Sequence, residues 1–419
     1  MLSVVLFWGL VALGQSRPTK DGDIKDVEFR MPNVQPQKPD TYLCVPMKME
    51  EIAKYVVGFV PHANMSTAHH MLLYGCEEPG QTDKVWNCGE MSMKEKSSYT
   101  MAPVCQKGSA IIYAWAMDAP QLTLPKDVGF KVGGNSEIQW LVLQVHYKDV
   151  SNFVPPKSGS DHSGITMKVT ETEQPKRAGV YLLGTDGRLD PHETVYMEAA
   201  CKITEDFVMH PFAFRTHAHT HGQVNAGYRV REGQWTEVGR QTPKKPQMFY
   251  NTTDPDLTVR EGDYLAARCT MTNDEDRTVY VGPTQNDEMC NFYIMYYVTG
   301  DKILRNNYCF SSGPPRWYWS NIGALNYQAA PKSASMLPGS DKLLVETMSH
   351  YDKYADPEYR ELDSMDDQLL VDELLGRNGD FEDEDEEDED EEGYGDEEEQ
   401  DYDREYKTLL KLYEELNSL

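Results

Sequence analysis

The chain has 419 residues, eight cysteines and a formal net charge of −29. That length accommodates two domains plus extensions, and with no basic patch to meet phosphates the composition excludes nucleic-acid binding. The acidity is local: from Asp356 onward the chain carries 29 acidic and 5 basic side chains, leaving only −5 on the 355 residues before it.

The chain opens on MLSVVLFWGLVALGQS, a short apolar run followed by small residues. It is too short to span a bilayer and reads as a secretory signal peptide over residues 1–14. No later stretch reaches transmembrane length, so the mature protein is expected in the secretory lumen, in granules or outside the cell. Eight cysteines in an exported chain (Cys44, Cys76, Cys88, Cys105, Cys201, Cys269, Cys290 and Cys309) imply four disulfides. Spacing cannot choose among roughly 105 pairings. The gap between Cys105 and Cys201 nevertheless divides them four and four, as two domains with two bridges each would. Sequons at Asn64 and Asn251 are compatible with export.

From about Asp26 to Leu325 the chain is a series of short segments rich in Val, Ile, Tyr and Trp. Examples are KYVVGFVP, AIIYAWAM, IQWLVLQVHYKDV, GVYLLG and NFYIMYYVTG, separated by Gly, Pro, Asn and Asp. Long stretches of helical period are missing. The pattern predicts an all-β chain of two antiparallel β-sandwich, jelly-roll-like domains, 26–174 and 175–330, joined near TEQPKRAG (172–179). Residues 331–419 read as an acidic, mostly disordered tail. Within it Glu382 to Glu392 is an unbroken run of carboxylates, which repel one another and bury no apolar area. At its end Tyr406, Leu409, Leu410, Tyr413 and Leu416 fall at helical spacing, although a helix this short is marginal alone.

The histidines are grouped. STAHHMLLYGC holds His69 and His70, LQVHYKD holds His146, and RTHAHTHG holds His217, His219 and His221. On an extended strand the last three share a face, as a solvated His-rich strand or as a metal site. Neighbours such as His69 and His70 face opposite sides of a regular strand. Ligation of one ion by both then requires local distortion or different ring nitrogens. His146 shares a strand face with Gln144. Met289 follows NDE and precedes Cys290, at a loop edge rather than inside an apolar run. A thioether is soft, and with two imidazoles it favours copper, particularly Cu(I), over zinc or calcium. Such a donor set leaves a coordination position open for a small molecule such as dioxygen.

The blocks TAHHMLLYGC, LVLQVHY, HPFAFRTHAHTHG, GDYLAARC and DEMCNFYIMYY resemble, in order and spacing, the copper type II, ascorbate-dependent monooxygenases. Within that family they are most similar to its peptidylglycine-hydroxylating members, over roughly residues 28–325. The resemblance implies two coppers per chain, one per domain, with ascorbate as reductant and dioxygen as co-substrate. His69, His70 and His146 would hold the electron-transfer copper, and His217, His219 and Met289 the copper that binds dioxygen, with His221 spare. Arg215, Asn291 and Tyr293 would grip the peptide carboxylate, a guanidinium being suited to bidentate contact, and Gln144 joins them as a substrate contact. The implied disulfides are Cys44–Cys88, Cys76–Cys105, Cys201–Cys309 and Cys269–Cys290. A fifth family bridge is missing, with His162 standing where one cysteine would be, and a glycan on Asn64 would crowd His69.

The reaction so implied is hydroxylation of the Cα of a C-terminal glycine in glycine-extended peptides, with dioxygen and two electrons consumed. It is the first step of peptide amidation, with the second copper supplying its electron from across a cleft. The acidic tail is too small for a lyase domain, so a monofunctional, monomeric hydroxylase with a separate lyase downstream is expected. The rival readings are a family relative acting on a small phenethylamine, and a non-enzymatic secreted metal-binding protein.

Overall fold

The computed structural model describes residues 23–340, apart from 83, 90–98 and 285. The leader, the acidic run and the C-terminal helical pattern named above lie outside the described residues.

The described chain is almost entirely strand and turn. Five strands form one sheet in the order Trp86–Asn87, Thr41–Lys48, Trp140–Tyr147, His70–Pro79, Cys105–Ala116. Four form another: Thr194–Lys202, Tyr264–Thr272, Gly222–Arg231, Gln234–Gln241. Between them lies a larger sheet running Ile24–Arg30, Gly164–Thr170, Lys54–His62, Val128–Val132, Lys176–Thr185, Cys290–Thr299, His210–His217, Tyr250–Asn251. Its first four strands come from the first half of the chain and its last four from the second. The two sets join through a short parallel contact, Lys176 and Arg177 against Val128 and Gly129.

The second-half part of this sheet is covered on both faces. Phe292, Ile294 and Tyr296 pack with Tyr181, Leu183 and Phe214 in one core. Tyr293 and Met295, alternating with them, join Val180, Leu182 and Ala213 in the core of the first half, which also contains Tyr113, Phe59 and Phe130. Two-sided burial explains why CNFYIMYYVT is apolar at nearly every position rather than at every second one. The Phe214 and Phe292 rings stack at 5.6 Å. A methyl group at Gly239 or Gly227 would meet those rings at 2.1 Å, so both glycines are required by close approach.

Four disulfides join Cys44–Cys88, Cys76–Cys105, Cys201–Cys309 and Cys269–Cys290. Beside His162, Val34 and Asp161 pair through two backbone hydrogen bonds of 2.9 and 2.8 Å. The Asp161 carboxylate also accepts from the Tyr147 hydroxyl at 2.6 Å. Past the strands, residues 319–335 form short 3-10 turns. Trp319, Leu325 and Ala334 are buried there against Ala226, Tyr228 and Ala266, and Arg240 donates to the carbonyls of Ser333 and Met336. Folded packing therefore continues beyond position 330, where composition alone turns polar.

Replacing Gly227 with alanine should cost about 1–3 kcal/mol through overpacking against Phe292. Urea unfolding with the disulfides intact measures this, and an unchanged midpoint would show that the ring has room to move.

Candidate metal centre

In the five-stranded sheet, His146 stands directly opposite Tyr42 on one neighbouring strand and His70 on the other. Tyr42 stacks flat on the His146 ring at 4.0 Å, and its hydroxyl donates to the Pro283 carbonyl at 2.9 Å. His69 precedes its strand rather than belonging to it. A turn in which Thr67 and Ala68 donate to the Asn64 carbonyl leads into it, and its own N–H donates to the His146 carbonyl at 2.9 Å. The neighbours His69 and His70 reach one side because only the second obeys strand alternation. Ligand atoms of His69, His70 and His146 all lie within 4.8 Å of one another.

The hydrogen bonds fix which nitrogens are free. His146 Nε2 donates to Asp40 Oδ1 at 3.1 Å, which leaves the lone pair on Nδ1. That atom faces His69 Nδ1 at 3.2 Å. His70 Nδ1 is buried with no partner. Two converging nitrogens and one orphan form a donor set that fits a metal ion.

In the second half, strand His210–His217 pairs with Cys290–Thr299 so that His217 is opposite Asn291 and Arg215 opposite Tyr293. The strand stops at His217, so the three alternating histidines do not share one strand face. His219 and His221 sit in the turn that follows. Gln247 Nε2 donates to the carbonyls of Ala218 and Pro243, which orients Oε1 to accept from His217 Nδ1 at 2.6 Å. His219 Nδ1 donates to the Asp287 carbonyl at 2.8 Å, and its Nε2 is buried without a partner. His221 turns away, with Nδ1 at the Thr272 carbonyl and Nε2 at 3.4 Å from Glu275. Met289 is buried, its sulfur 3.8 Å from Nδ2 of Asn291, the residue opposite His217.

The two groups of histidines adjoin. Ring centroids of His70 and His217 are 5.8 Å apart and those of His69 and His219 6.3 Å, so five imidazoles form one continuous cluster rather than two groups facing across a cleft. The cause is the shared face: Ala213, Arg215 and His217 all point from the central sheet toward the first half.

Arg215 is 2% exposed. Its Nε donates to the Gln247 carbonyl at 2.8 Å, its guanidinium lies 4.9 Å from the Tyr293 ring, and its Nη1 has no partner. Among the described residues no carboxylate pairs with it. Gln144, fully buried, directs Nε2 at the Cys88 carbonyl at 3.4 Å, with Oε1 unsatisfied. A crevice is lined by Tyr113, Pro120, Leu122, Met248 and Phe249, the last two directly following Gln247 in the chain. Asn64 and Asn251 are exposed. Asp40, Tyr42, Gln247 and Glu288 are the supporting residues that sequence reasoning missed; only Glu288, inside NDE beside Met289, carried any signal.

Two family models match the chain: the N-terminal domain of the copper type II ascorbate-dependent monooxygenases over residues 27–154, and their C-terminal domain over 176–322. The peptidyl-glycine alpha-amidating monooxygenase A of Xenopus laevis is 41% identical over 78% of the chain and 34% of the relative. The Mus musculus peptidyl-glycine alpha-amidating monooxygenase is 42% identical over 72% and 30%. A dopamine beta-hydroxylase of Rattus norvegicus is 27% identical over 67% and 47%. The chain thus spans about a third of the length of the amidating relatives it matches.

Burial, followed by the charges of His146 and His219, lowers the His69 pKa to about 3. Burial also holds His70 and His217 well below the ordinary value, aided by His146 for the first and Arg215 for the second. It lowers His146 against the opposing pull of Asp40. These histidines are neutral in the fold and protonate near 6.5 once unfolded, so the unfolded chain binds more protons below that pH. Stability of the metal-free protein should therefore fall as pH drops from about 6.5 toward 3, each histidine contributing up to about 1.4 kcal/mol per pH unit. Thermal unfolding at pH 7.5 and 5.5 tests it; equal stabilities would mean that the cluster is not buried in solution.

Proposed function

The chain belongs to the copper type II, ascorbate-dependent monooxygenases, and from that premise we propose that it hydroxylates the Cα of a C-terminal glycine in glycine-extended peptides. The observation that carries the reading is Arg215, a buried guanidinium with no carboxylate partner among the described residues and with an unsatisfied Nη1. A buried cation costs free energy unless an anion meets it. The C-terminal carboxylate of a peptide supplies that anion, and a planar guanidinium is built to receive it.

In this reading His69, His70 and His146 hold one copper, and His217, His219 and Met289 the other. We take the domains to be 26–174 and one that begins at 175 and includes the packed turns up to Ser335. Bound there, copper supplies dioxygen binding and the single electrons that ascorbate delivers. The chain's own residues do the rest. Asp40, Gln247 and the Asp287 carbonyl hold the protons of His146, His217 and His219 on the nitrogens facing away from the ligand position. Arg215, Asn291 and Tyr293 fix the peptide end, with Gln144 beside His146. Arg215 and His217 lie two residues apart on one strand face, so anchoring the carboxylate places the adjacent Cα near His217. This is catalysis by positioning. Glycine is selected because a side chain on that Cα would occupy the space of the oxidant.

The product, an α-hydroxyglycine peptide, needs C–N cleavage by a lyase before an amide appears. Four disulfides and two exposed sequons fit a secretory-pathway protein, and we place it in secretory granules as a monomer. The similarity to a dopamine beta-hydroxylase keeps open a second reading, a small amine as substrate. An amine offers Arg215 no anion, and this favours the peptide.

Purified protein supplied with copper and ascorbate should turn over a dansylated tripeptide ending in glycine. Turnover of dopamine alone would eliminate the proposal. Arg215→Ala should lose about 2–5 kcal/mol of transition-state binding, roughly 30- to 5,000-fold in kcat/KM, with both coppers retained. Met289→Ala should stop oxygen consumption while the three-histidine copper stays; unchanged consumption would remove Met289 from the ligand set.

A further inference from the structure

Glu288 is 0% exposed. A carboxylate in such surroundings normally meets a cation, yet the described residues give this one only backbone partners. Oε1 accepts from the N–H of His219 and from the N–H of Met289, the latter at 2.7 Å. Oε2 accepts from the N–H of His221 at 2.8 Å. The residue's own backbone is pinned separately, its N–H donating to the Tyr280 carbonyl at 2.9 Å and its carbonyl accepting from Gly282 at 3.0 Å. One side chain therefore ties the turn after strand His210–His217 to the segment entering strand Cys290–Thr299. A single oxygen joins the backbones of His219 and Met289.

We propose that Glu288 is the positioning residue of the dioxygen-binding copper site, setting the separation at which His219 and Met289 offer nitrogen and sulfur to one ion. The inference rests on the ligand assignment above. Neither residue is held at that distance by regular pairing. His219 lies in a turn and Met289 lies one residue before its strand begins. Beyond the shared acceptor and the strand pairing that ends at His217 and Asn291, the described residues join the two segments by one further hydrogen bond, from the His219 imidazole to the Asp287 carbonyl. Glutamine keeps the volume and one accepting oxygen, but its NH2 group faces N–H donors on the other side. Glu288→Gln thus breaks half the clamp without opening a cavity. Glu288→Asp keeps both oxygens and shortens the reach by one methylene.

The test loads the parent protein, Glu288→Gln and Glu288→Asp with copper, reduces them with ascorbate, and measures copper per chain and the sulfur shell by X-ray absorption, with thermal unfolding alongside. The parent should show a sulfur neighbour. Glu288→Gln should keep its fold and the three-histidine copper, lose most of the sulfur shell, and bind the second copper about 10- to 100-fold more weakly. Glu288→Asp should fall between. A parent without a sulfur shell would defeat the ligand assignment and this inference with it. A parent with the shell and a Glu288→Gln protein that keeps it in full would defeat the inference alone. Loss of both coppers together, or failure of both variants to fold, would make Glu288 a general structural residue and equally overturn it.

Discussion

Two-sided burial of the strand pair His210–His217 and Cys290–Thr299 is the constraint on which the rest depends. A strand packed on one face can spend the other on solvent, but this pair is closed on both. One face, with Phe214, Phe292 and Ile294, meets the four-stranded sheet. The other, with Ala213, Tyr293 and Met295, meets the first half of the chain. Strand alternation then dictates that Arg215 and His217 follow Ala213, and that Asn291 precedes Tyr293, on the face turned toward His69, His70 and His146. A one-residue slip would move all of them into the opposite core. Phe214 and Phe292, locked over Gly239 and Gly227, are placed to resist that slip.

The same closure creates an electrostatic problem that the polar residues answer in a common way. Imidazoles, a guanidinium and a carboxylate sit where water is excluded, and each unmet group there costs free energy. The outward nitrogens of His146, His217 and His219 are satisfied by Asp40, Gln247 and the Asp287 carbonyl. Inward atoms are left unsatisfied: His70 Nδ1, His219 Nε2 and Arg215 Nη1. Satisfied outward and bare inward is the pattern of a site whose remaining partners are ligands. Burial keeps the imidazoles of His69, His70, His146 and His217 neutral, and the neutral form is the one able to coordinate.

Much of this was legible in the residues, and the remainder was hidden for identifiable reasons. The β-rich segments announced themselves through Val, Ile and Tyr between turn residues. The adjacent His69 and His70 signalled a departure from strand alternation, and the turn from Asn64 to Ala68 supplies it. The His217, His219, His221 series misled by its regularity, because an alternating pattern carries no mark of where the strand stops. Gln247 lies 30 residues from His217 in an unremarkable stretch, and Asp40 lies 106 from His146; only the fold brings such pairs together. Cysteine spacing left the pairing open, and it came through the resemblance alone. The body's continuation past 330 was masked by polar composition, since what anchors it is a few small or aromatic side chains and the carbonyls that Arg240 bonds.

The proposed chemistry is also compact in sequence. Its ligands, anion grip and supporting hydrogen bonds fall between Asp40 and Tyr293, almost wholly within the matched regions 27–154 and 176–322. The amidating relatives are about three times longer, so their names describe more than this stretch need do. In the proposed reading, the protein's part in hydroxylation is to bring a peptide end, a thioether and two sets of imidazoles together in a dry place, with copper, dioxygen and ascorbate supplied from outside the chain. The central sheet and the five-stranded sheet provide that place together: one face of the first brings Arg215 and His217 to His70 and His146 of the second and the adjoining His69, and Glu288 ties the Met289 segment to the turn that holds His219. The feature of this chain that favours a peptide end over an amine, in the proposed reading, is the buried guanidinium of Arg215. Neutralised by a substrate carboxylate, that charge would couple binding of the correct peptide end to relief of a desolvation cost.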